Sequence, residues 1–301
     1  MPDRTIALDG PLDLRRTLAP LWRGRGDPTM SLAPDGVWRA TRTPDGPTTM
    51  HLSQRGSTLH VEAWGPGADW ALEHAHDLVG LGDDPAELRT DHPLIRDLAR
   101  RNAGLRFLRS LAVMEALVPA ILEQKVTGIE AHRAWRGLAL THGEPAPGPA
   151  GRAGMRVPPR PEVLAGLPYH AFHPFGIERR RADTIRRVAA EAARLEALSS
   201  GSSSRGQERL RALPGVGPWT AAEVAARAWG DADAVSVGDF HLPNLVAWAL
   251  AGEPRGTDAR MLELLEPFAG QRGRVVRLLE VSGLRPERRG PHYAGRRIEA
   301  I

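Results

Sequence analysis

Cysteine is absent from this 301-residue chain, and lysine is nearly so. Without cysteine there is no disulfide, no thiolate nucleophile and no cysteine-ligated zinc or iron–sulfur cluster. Lys125 is the single lysine among 40 basic residues, so nearly every positive charge belongs to a planar, permanently protonated arginine. Chemistry that needs a lysine amine therefore has one candidate residue.

Long apolar runs are also missing. No stretch reaches the ~20 apolar residues that would cross a bilayer, and residues 1–6 lack the apolar region of a secretory signal. These patterns predict a cytoplasmic protein without membrane contact. The formal net charge of +4 permits a phosphate-bearing partner such as nucleic acid but does not require one.

The first 86 residues contain the alternation of short β-strands. Four segments follow this pattern: 4–9, 36–43, 47–53 and 57–64. An Asp45-Gly46 pair is typical of a hairpin turn between the second and third segments. Amphipathic helices are predicted over residues 12–22 and 70–81. We therefore predict an α+β N-terminal domain over residues 1–86, in which a small antiparallel sheet packs against two helices.

Residues 87–290 carry helical periodicity instead. The spacing of apolar residues predicts helices at 93–102, 108–126, 130–140 and 178–198. A Pro/Gly-rich run at 143–161 and a Ser/Gly run at 199–206 predict two solvated loops. This region is expected to form an all-α domain, followed by a tail at 291–301.

The most informative segment is Leu213-Pro-Gly-Val-Gly-Pro-Trp-Thr-Ala221, which lies between two predicted helices. This is a helix–hairpin–helix pattern, because Gly215 and Gly217 allow backbone conformations closed to other residues and Pro218 suits a first helical turn. Exposed amides at such a turn bind a phosphate irrespective of base sequence. The alternative is a turn that only joins two packed helices. The residues assigned to a DNA-binding hairpin are Leu213, Gly215, Val216, Gly217 and Thr220.

A second segment, Val235-Ser-Val-Gly-Asp-Phe-His-Leu-Pro243, presents a carboxylate after a short apolar stretch. Asp239 follows Trp219 by 20 residues. An aspartate after glycine is usually the N-cap of the next helix, and that role alone is the alternative to a catalytic one.

The hairpin and the aspartate that follows it resemble the helix–hairpin–helix (HhH-GPD) DNA glycosylase superfamily. Within that superfamily the sequence is similar to the bacterial inducible 3-methyladenine DNA glycosylases (AlkA-like). Ile121-Leu-Glu-Gln-Lys-Val126 is similar to the family's I-L-x-Q-x-V helix, and Phe175-Gly-Ile-(x)3-Arg181-Ala182 to its L-G-x-x-x-x-R-A helix start. The resemblance covers residues 4–285 and implies a TBP-like sheet domain followed by an all-α glycosylase domain.

By this resemblance Asp239 is the catalytic carboxylate, which stabilises the positive charge that develops on deoxyribose as the N-glycosidic bond breaks. Trp219 stands where relatives that also cleave the DNA backbone carry a Schiff-base lysine, which implies base release without strand cleavage. Trp219 and Phe240 match the aromatic base pocket of the alkylation branch, where a flipped, electron-poor base stacks. The alternative for both rings is core packing.

Several positions depart from the family pattern. Glu223 replaces a pocket aromatic and is either a wall that attracts a cationic base or part of a solvated helix face. His241 completes a D-x-H pattern typical of relatives that act on oxidised or mismatched bases. It either orients Asp239, contacts a DNA phosphate or makes only a local hydrogen bond. Gln124 and Lys125 fall where a wedge residue fills the gap left by the extruded nucleotide, with a solvated lysine as the alternative.

Arginines accumulate toward the C-terminus, and Arg272 and Arg274 are predicted phosphate contacts. The alternative is ordinary solvation of a surface. The same interpretation extends to Arg277, Arg285, Arg288, Arg289, Arg296 and Arg297.

Together these inferences predict a monofunctional DNA glycosylase of base excision repair. It would hydrolyse alkylated purines such as 3-methyladenine and 7-methylguanine out of duplex DNA, as a monomer without an obligate protein partner. No metal or cofactor is implied, apart from a monovalent cation that hairpin carbonyls can hold. Two alternatives stay open: a glycosylase for oxidised or deaminated bases, and a non-catalytic protein that binds DNA structures through the hairpin.

Overall fold

A five-stranded antiparallel sheet occupies the N-terminal part of the protein. The structure is a computed structural model and describes residues 2–285. The sheet order is β1-β5-β4-β3-β2. Its strands are β1 (Asp3–Ala7), β2 (Met30–Ala33), β3 (Gly36–Thr43), β4 (Gly46–Arg55) and β5 (Thr58–Trp64). The predicted turn between β3 and β4 is confirmed, with Thr43 opposite Gly46. Strand β2, at one edge of the sheet, was missed by the sequence analysis.

One face of this sheet packs against helices because its strands alternate buried and more exposed residues. Val37, Leu52 and Val61 are fully buried on that face. Three short helices contribute to the same core: α1 (Leu14–Leu18), α2 (Ala68–Glu73) and α3 (Ala75–Leu78). The single helix predicted over 70–81 is therefore wrong, since the helix is interrupted at His74, which lies between α2 and α3. The His74 ring stacks on that of Trp70 with centroids 4.0 Å apart.

Helices dominate the rest of the described chain. They are α4 (Pro93–Arg101), α5 (Val113–Leu122), α6 (Gly128–His142), α7 (Pro149–Arg152), α8 (Pro161–Gly166), α9 (Arg179–Ala190), α10 (Ala192–Glu196), α11 (Ser203–Arg211), α12 (Pro218–Val224), α13 (Leu242–Ala251), α14 (Asp258–Leu265) and α15 (Arg272–Val281). A π-helical turn at Ala225–Trp229 follows α12. Within residues 2–285, no helix is both long and apolar enough to cross a bilayer.

The predicted loop at 143–161 is only partly solvated and is not without secondary structure. It forms a small hairpin of β6 (Glu144–Pro145) and β7 (Arg156–Val157) with α7 between the strands. Ala146, Ala150 and Val157 are buried against Ala40 of the sheet. The few apolar residues of this Pro/Gly-rich run thus cover the second face of the sheet, and the helical region is not purely α.

The run at 199–206 is also only partly a loop. Helix α11 begins at Ser203, because the Ser202 side chain caps it by accepting a hydrogen bond from the amide of Arg205. The helix predicted over 178–198 is interrupted at Glu191, which separates α9 from α10.

Helix α5 is the centre of the helical core. All its residues except Glu115 are buried, and it contacts α6, α9, α10 and α12. Glu115 faces the sheet instead, where its carboxylate accepts hydrogen bonds from Arg39 and Thr41. The helix starts later than predicted, since the amides of Ser110 and Leu111 donate to carbonyls of the π-helical turn.

Helix α5 begins on a carboxylate from α10. Glu196 accepts hydrogen bonds from the amides of Val113 and Met114, each at 2.9 Å. Burial raises the pKa of Glu196 to about 7, although those two amides favour its charged form.

Because of this raised pKa, the free energy of unfolding should depend on pH between 4.5, the ordinary pKa of a glutamate, and about 7, the pKa of Glu196 in the folded protein. The folded protein holds a proton that the unfolded chain releases, so the associated stability is complete below pH 4.5 and is lost as pH rises through 7, by at most about 3 kcal/mol. Glu196→Gln cannot titrate and should lack this part of the pH dependence.

Urea unfolding at pH 5 and pH 8 measures the difference. Glu191→Gln, a change at a more exposed carboxylate near the same helix, serves as the control. Equal pH dependence in the wild type and Glu196→Gln would contradict this assignment.

Candidate active site

The hairpin between α11 and α12 has the predicted geometry. Gly217 is the N-cap of α12 and Pro218 its first residue. Val216 is buried in the helical core, while Gly215 is exposed with a φ of +95°. A side chain is excluded at Gly215, because a Cβ atom there would lie 2.3 Å from Oγ1 of Thr184 on α9.

Side chains from two other helical segments anchor this hairpin. The amide group of Gln124, just beyond α5, donates to the carbonyl of Gly215 at 3.0 Å and to Oγ1 of Thr220 at 2.8 Å. Arg187 of α9 donates to the carbonyl of Pro214 at 2.7 Å. These two carbonyls are thus already engaged, one of them with a guanidinium, and a cation held by hairpin carbonyls stays a prediction.

Asp239 contacts Trp219 directly. The indole Nε1–H of Trp219 donates to Oδ2 of Asp239 at 3.2 Å. The other carboxylate oxygen, Oδ1, accepts hydrogen bonds from the amides of His241 at 2.7 Å and Leu242 at 2.9 Å. Asp239 therefore binds the two amides at the start of α13, whose N-cap residue is His241, and is also the partner of the hairpin tryptophan. Both side chains are half-buried.

The loop that carries Asp239 is fixed at two further points. The amide of Gly238, whose φ is +94°, donates to the carboxylate of Asp258 at the start of α14, at 3.1 Å. The hydroxyl of Ser236 donates to the carboxylate of Glu223 on α12. The position of the aspartate is thus set by three helices.

Glu223 belongs to a buried charge cluster, so its assignment to a solvated helix face is wrong. Arg227, one turn further along, pairs with its carboxylate at 2.6 Å and donates to its carbonyl at 2.8 Å. Burial alone would raise the pKa of Glu223, but Arg227, the Ser236 hydroxyl and Arg23 together hold that pKa below its usual range. Both oxygens of its carboxylate are bound by these partners, so neither faces an open pocket where a cationic base could be attracted.

The cluster extends into the N-terminal domain. Arg23, which is 6% exposed, pairs with Glu123 at 3.3 Å. Its backbone amide donates to Asp27, which also accepts a hydrogen bond from the indole of Trp135 on α6. Burial lowers the pKa of Arg23. None of these residues was predicted from the sequence, because no local pattern joins charges this far apart in the chain.

Phe240 and His241 are both exposed at the start of α13. Phe240 is 84% exposed, and its ring lies edge-on to that of His241 with centroids 5.0 Å apart. Both residues lie at the start of α13, where the capping role of Asp239 places them on the surface. The alternative of core packing for Phe240 is wrong, because the ring is exposed, whereas its place in a base pocket stays a prediction.

The two predicted wedge residues, Gln124 and Lys125, differ in their contacts: the first is bound to the hairpin and the second is exposed. The Gln124 side chain is bound to the hairpin, as described above, and is not free to enter a duplex. Lys125 is exposed on a backbone with φ of +56°, an uncommon conformation for a residue other than glycine. Ile129, at the start of α6, is a second protruding residue near it, 75% exposed.

The two arginines predicted to contact phosphates are engaged within the protein. Arg274 is buried, pairs with Asp83 and lies over the ring of Phe107 at 5.0 Å, so that prediction is wrong. Arg272 pairs with Asp233 through its backbone amide and its guanidinium. The predictions for Arg288, Arg289, Arg296 and Arg297, and the tail at 291–301, lie outside the described residues.

The chain is similar to known DNA repair proteins over part of its sequence. No family model matches the chain. A probable bifunctional transcriptional activator/DNA repair enzyme AlkA of Mycobacterium tuberculosis is 30% identical over 175 residues, 57% of this chain and 35% of that protein. The chain thus spans about a third of the length of the curated relatives it matches.

Solved structures match over nearly the full length. The 3-methyladenine DNA glycosylase of Archaeoglobus fulgidus superposes with a TM-score of 0.78 at 18% identity, over 92% of this chain and 97% of that one. This chain has the helix–hairpin–helix DNA glycosylase fold. The 8-oxoguanine glycosylase/lyase of Clostridium acetobutylicum also shares that fold, with a TM-score of 0.68 at 15% identity over 89% and 92% of the two chains. The AlkA-like resemblance is confirmed.

The two glycines of the glycosylase hairpin should respond differently to substitution. Gly215→Ala combines a positive φ with a Cβ contact to Thr184, so we expect a loss of about 2 kcal/mol or more in the free energy of unfolding. Gly217→Ala is the control, because φ at Gly217 is −97° and no atom lies within 4 Å of its Cβ position. Denaturant unfolding of both variants measures the effect, and equal stabilities would contradict it.

Proposed function

We propose that this protein is a DNA N-glycosylase of base excision repair and that Asp239 is its catalytic carboxylate. The observation that carries the proposal is the hydrogen bond from Trp219, next to the hairpin, to Oδ2 of Asp239. It brings together a phosphate-binding turn, an aromatic face and an anion. A nucleotide extruded from the duplex needs all three.

The proposed reaction is hydrolysis. The N-glycosidic electron pair leaves with the base, positive charge develops on the deoxyribose, and water adds at C1′ and releases a proton to solvent. Asp239 stabilises that charge and orients the water, and its three N–H donors fix it in place before the reaction, as effective electrostatic catalysis requires. The proposal uses no metal and no hairpin-bound cation.

Alkylated purines are the substrate class we propose. A 3-methyladenine or 7-methylguanine base already carries positive charge, so it leaves without a strong general acid and is attracted to the face of the Trp219 ring. The names of the M. tuberculosis and A. fulgidus proteins support this class. Three further expectations stay predictions. They are that the N-terminal sheet domain is TBP-like, that the partner is duplex DNA and that the protein acts as a monomer.

A specific observation favours a second class, oxidised bases. Asp239-Phe-His241 has the D-x-H pattern, and one of the structures that share the fold, that of the C. acetobutylicum enzyme, is named as an 8-oxoguanine glycosylase/lyase. A panel of duplexes, each with one alkylated, deaminated or oxidised base, separates the classes by the free base released. Binding to DNA without release of any base would support the non-catalytic alternative.

Asp239→Asn tests the catalytic role. The amide oxygen can still cap α13, but the negative charge at the sugar is lost, so the rate of base release should fall by roughly 10²-fold or more with DNA affinity nearly unchanged. Single-turnover release and equilibrium binding measure the two effects. Asp13→Asn, a change at the capping aspartate of α1, is the matched control. Full activity in Asp239→Asn would refute the assignment.

The product should be an abasic site in an intact strand. Trp219 cannot form a Schiff base, and the one lysine, Lys125, is exposed. Strand breaks should therefore require alkali after base release, and borohydride should trap no covalent complex. A break without alkali that disappears in Lys125→Gln would instead identify that amine as a Schiff-base donor.

A further inference from the structure

Ser236 and Glu223 connect the loop of Asp239 to the buried charge cluster, and we propose that they are positioning residues for that carboxylate. The inference rests on the proposed function of Asp239. It adds that the N-terminal domain completes the site, because the carbonyl of Pro20 fixes the arginine that holds Glu223.

Ser236 makes two hydrogen bonds, one within the loop of Asp239 and one to helix α12. Its carbonyl accepts a hydrogen bond from the amide of Asp239 at 3.2 Å, which closes a tight turn. Its hydroxyl donates to Glu223, and the residue is 7% exposed. Any displacement of Ser236 is therefore passed directly to the backbone of Asp239.

Helix α12 holds this loop at two successive turns. Trp219 binds the carboxylate of Asp239, and Glu223, four residues later on the same face, binds the hydroxyl of Ser236. One contact alone would allow the turn to pivot. Two contacts with a single helix fix both its position and the direction of the carboxylate.

Arg227 holds Glu223 in turn. Its guanidinium binds the carboxylate and the carbonyl of Glu223, and its Nε–H donates to the carbonyl of Pro20 at 3.0 Å. A buried carboxylate without such a partner would be costly and would relax toward water. The order of contacts is thus Pro20, Arg227, Glu223, Ser236 and Asp239.

This arrangement differs from catalysis by the cluster itself. Glu223 is occupied by Arg227 and Ser236, so its effect on the reaction passes through the loop. Reactions are sensitive to such support, since a misplacement of ~1 Å can cost ~10²-fold in rate. The contribution should appear in the chemical step and not in affinity for DNA.

The first test is Ser236→Ala, which removes the hydroxyl and leaves the pair of Glu223 and Arg227 intact. We expect the single-turnover rate of base release from methylated duplex DNA to fall ~10-fold or more, with an unchanged Kd for the same duplex. The control is Ser203→Ala at the first residue of α11, which removes a comparable hydrogen bond from a serine hydroxyl to the carboxylate of Asp231. That variant should keep the wild-type rate.

The second test compares two substitutions of Glu223. Glu223→Gln keeps an oxygen that can accept from Ser236, whereas Glu223→Ala does not. A positioning role predicts that the Gln variant retains a base-release rate several-fold above that of the Ala variant, with both measured below their melting temperatures.

Hydrogen exchange at the amides of His241 and Leu242 reports the position of Asp239 without any reaction. Both amides should exchange faster in Ser236→Ala than in the wild type. A wild-type protein that releases no base but shows this difference would refute the proposed function and leave the positioning role standing. Wild-type base release together with unchanged rate and exchange in Ser236→Ala would overturn the positioning role alone.

Discussion

A single carboxylate that accepts hydrogen bonds from an indole and from the first amides of a helix is the constraint on which the site depends. Asp239 takes the Trp219 indole on one oxygen and the amides of α13 on the other. Capping and catalysis were alternatives for Asp239 on the sequence, and the structure shows that the carboxylate binds amides at the start of α13 and the hairpin indole at the same time. In the proposed reaction these bonds would limit the rotation of the side chain before any substrate binds.

The buried charges give the two parts of the protein a common interior. Arg23 and the Pro20 carbonyl come from the N-terminal region, and Glu123, Glu223 and Arg227 from the helical one. Removal of any one partner would leave an uncompensated buried charge. The N-terminal domain is thus a structural part of the candidate site, whatever its own contact with DNA.

Features encoded by neighbouring residues were predictable from the sequence. The hairpin follows from Gly215, Gly217 and Pro218, and the sheet follows from alternation and the Asp45-Gly46 turn. The buried role of Glu223 was not predictable, because it depends on partners from three separate segments. The exposure of Phe240 was not predictable for a related reason, because its position follows from the hydrogen bonds at the start of α13, which sequence similarity does not reveal. The Pro/Gly-rich run at 143–161 was misjudged because three small apolar residues suffice to seat it on the sheet.

The two hydrogen bonds of the Gln124 amide have a mechanical consequence. They join the exposed loop at Lys125 to the glycine turn, so the spacing between these two elements cannot change unless both bonds break. In the proposed complex a duplex would meet these two elements at the spacing that the two bonds maintain. Bending or opening of the duplex would then depend on the nucleic acid, whose deformability differs between intact and damaged steps.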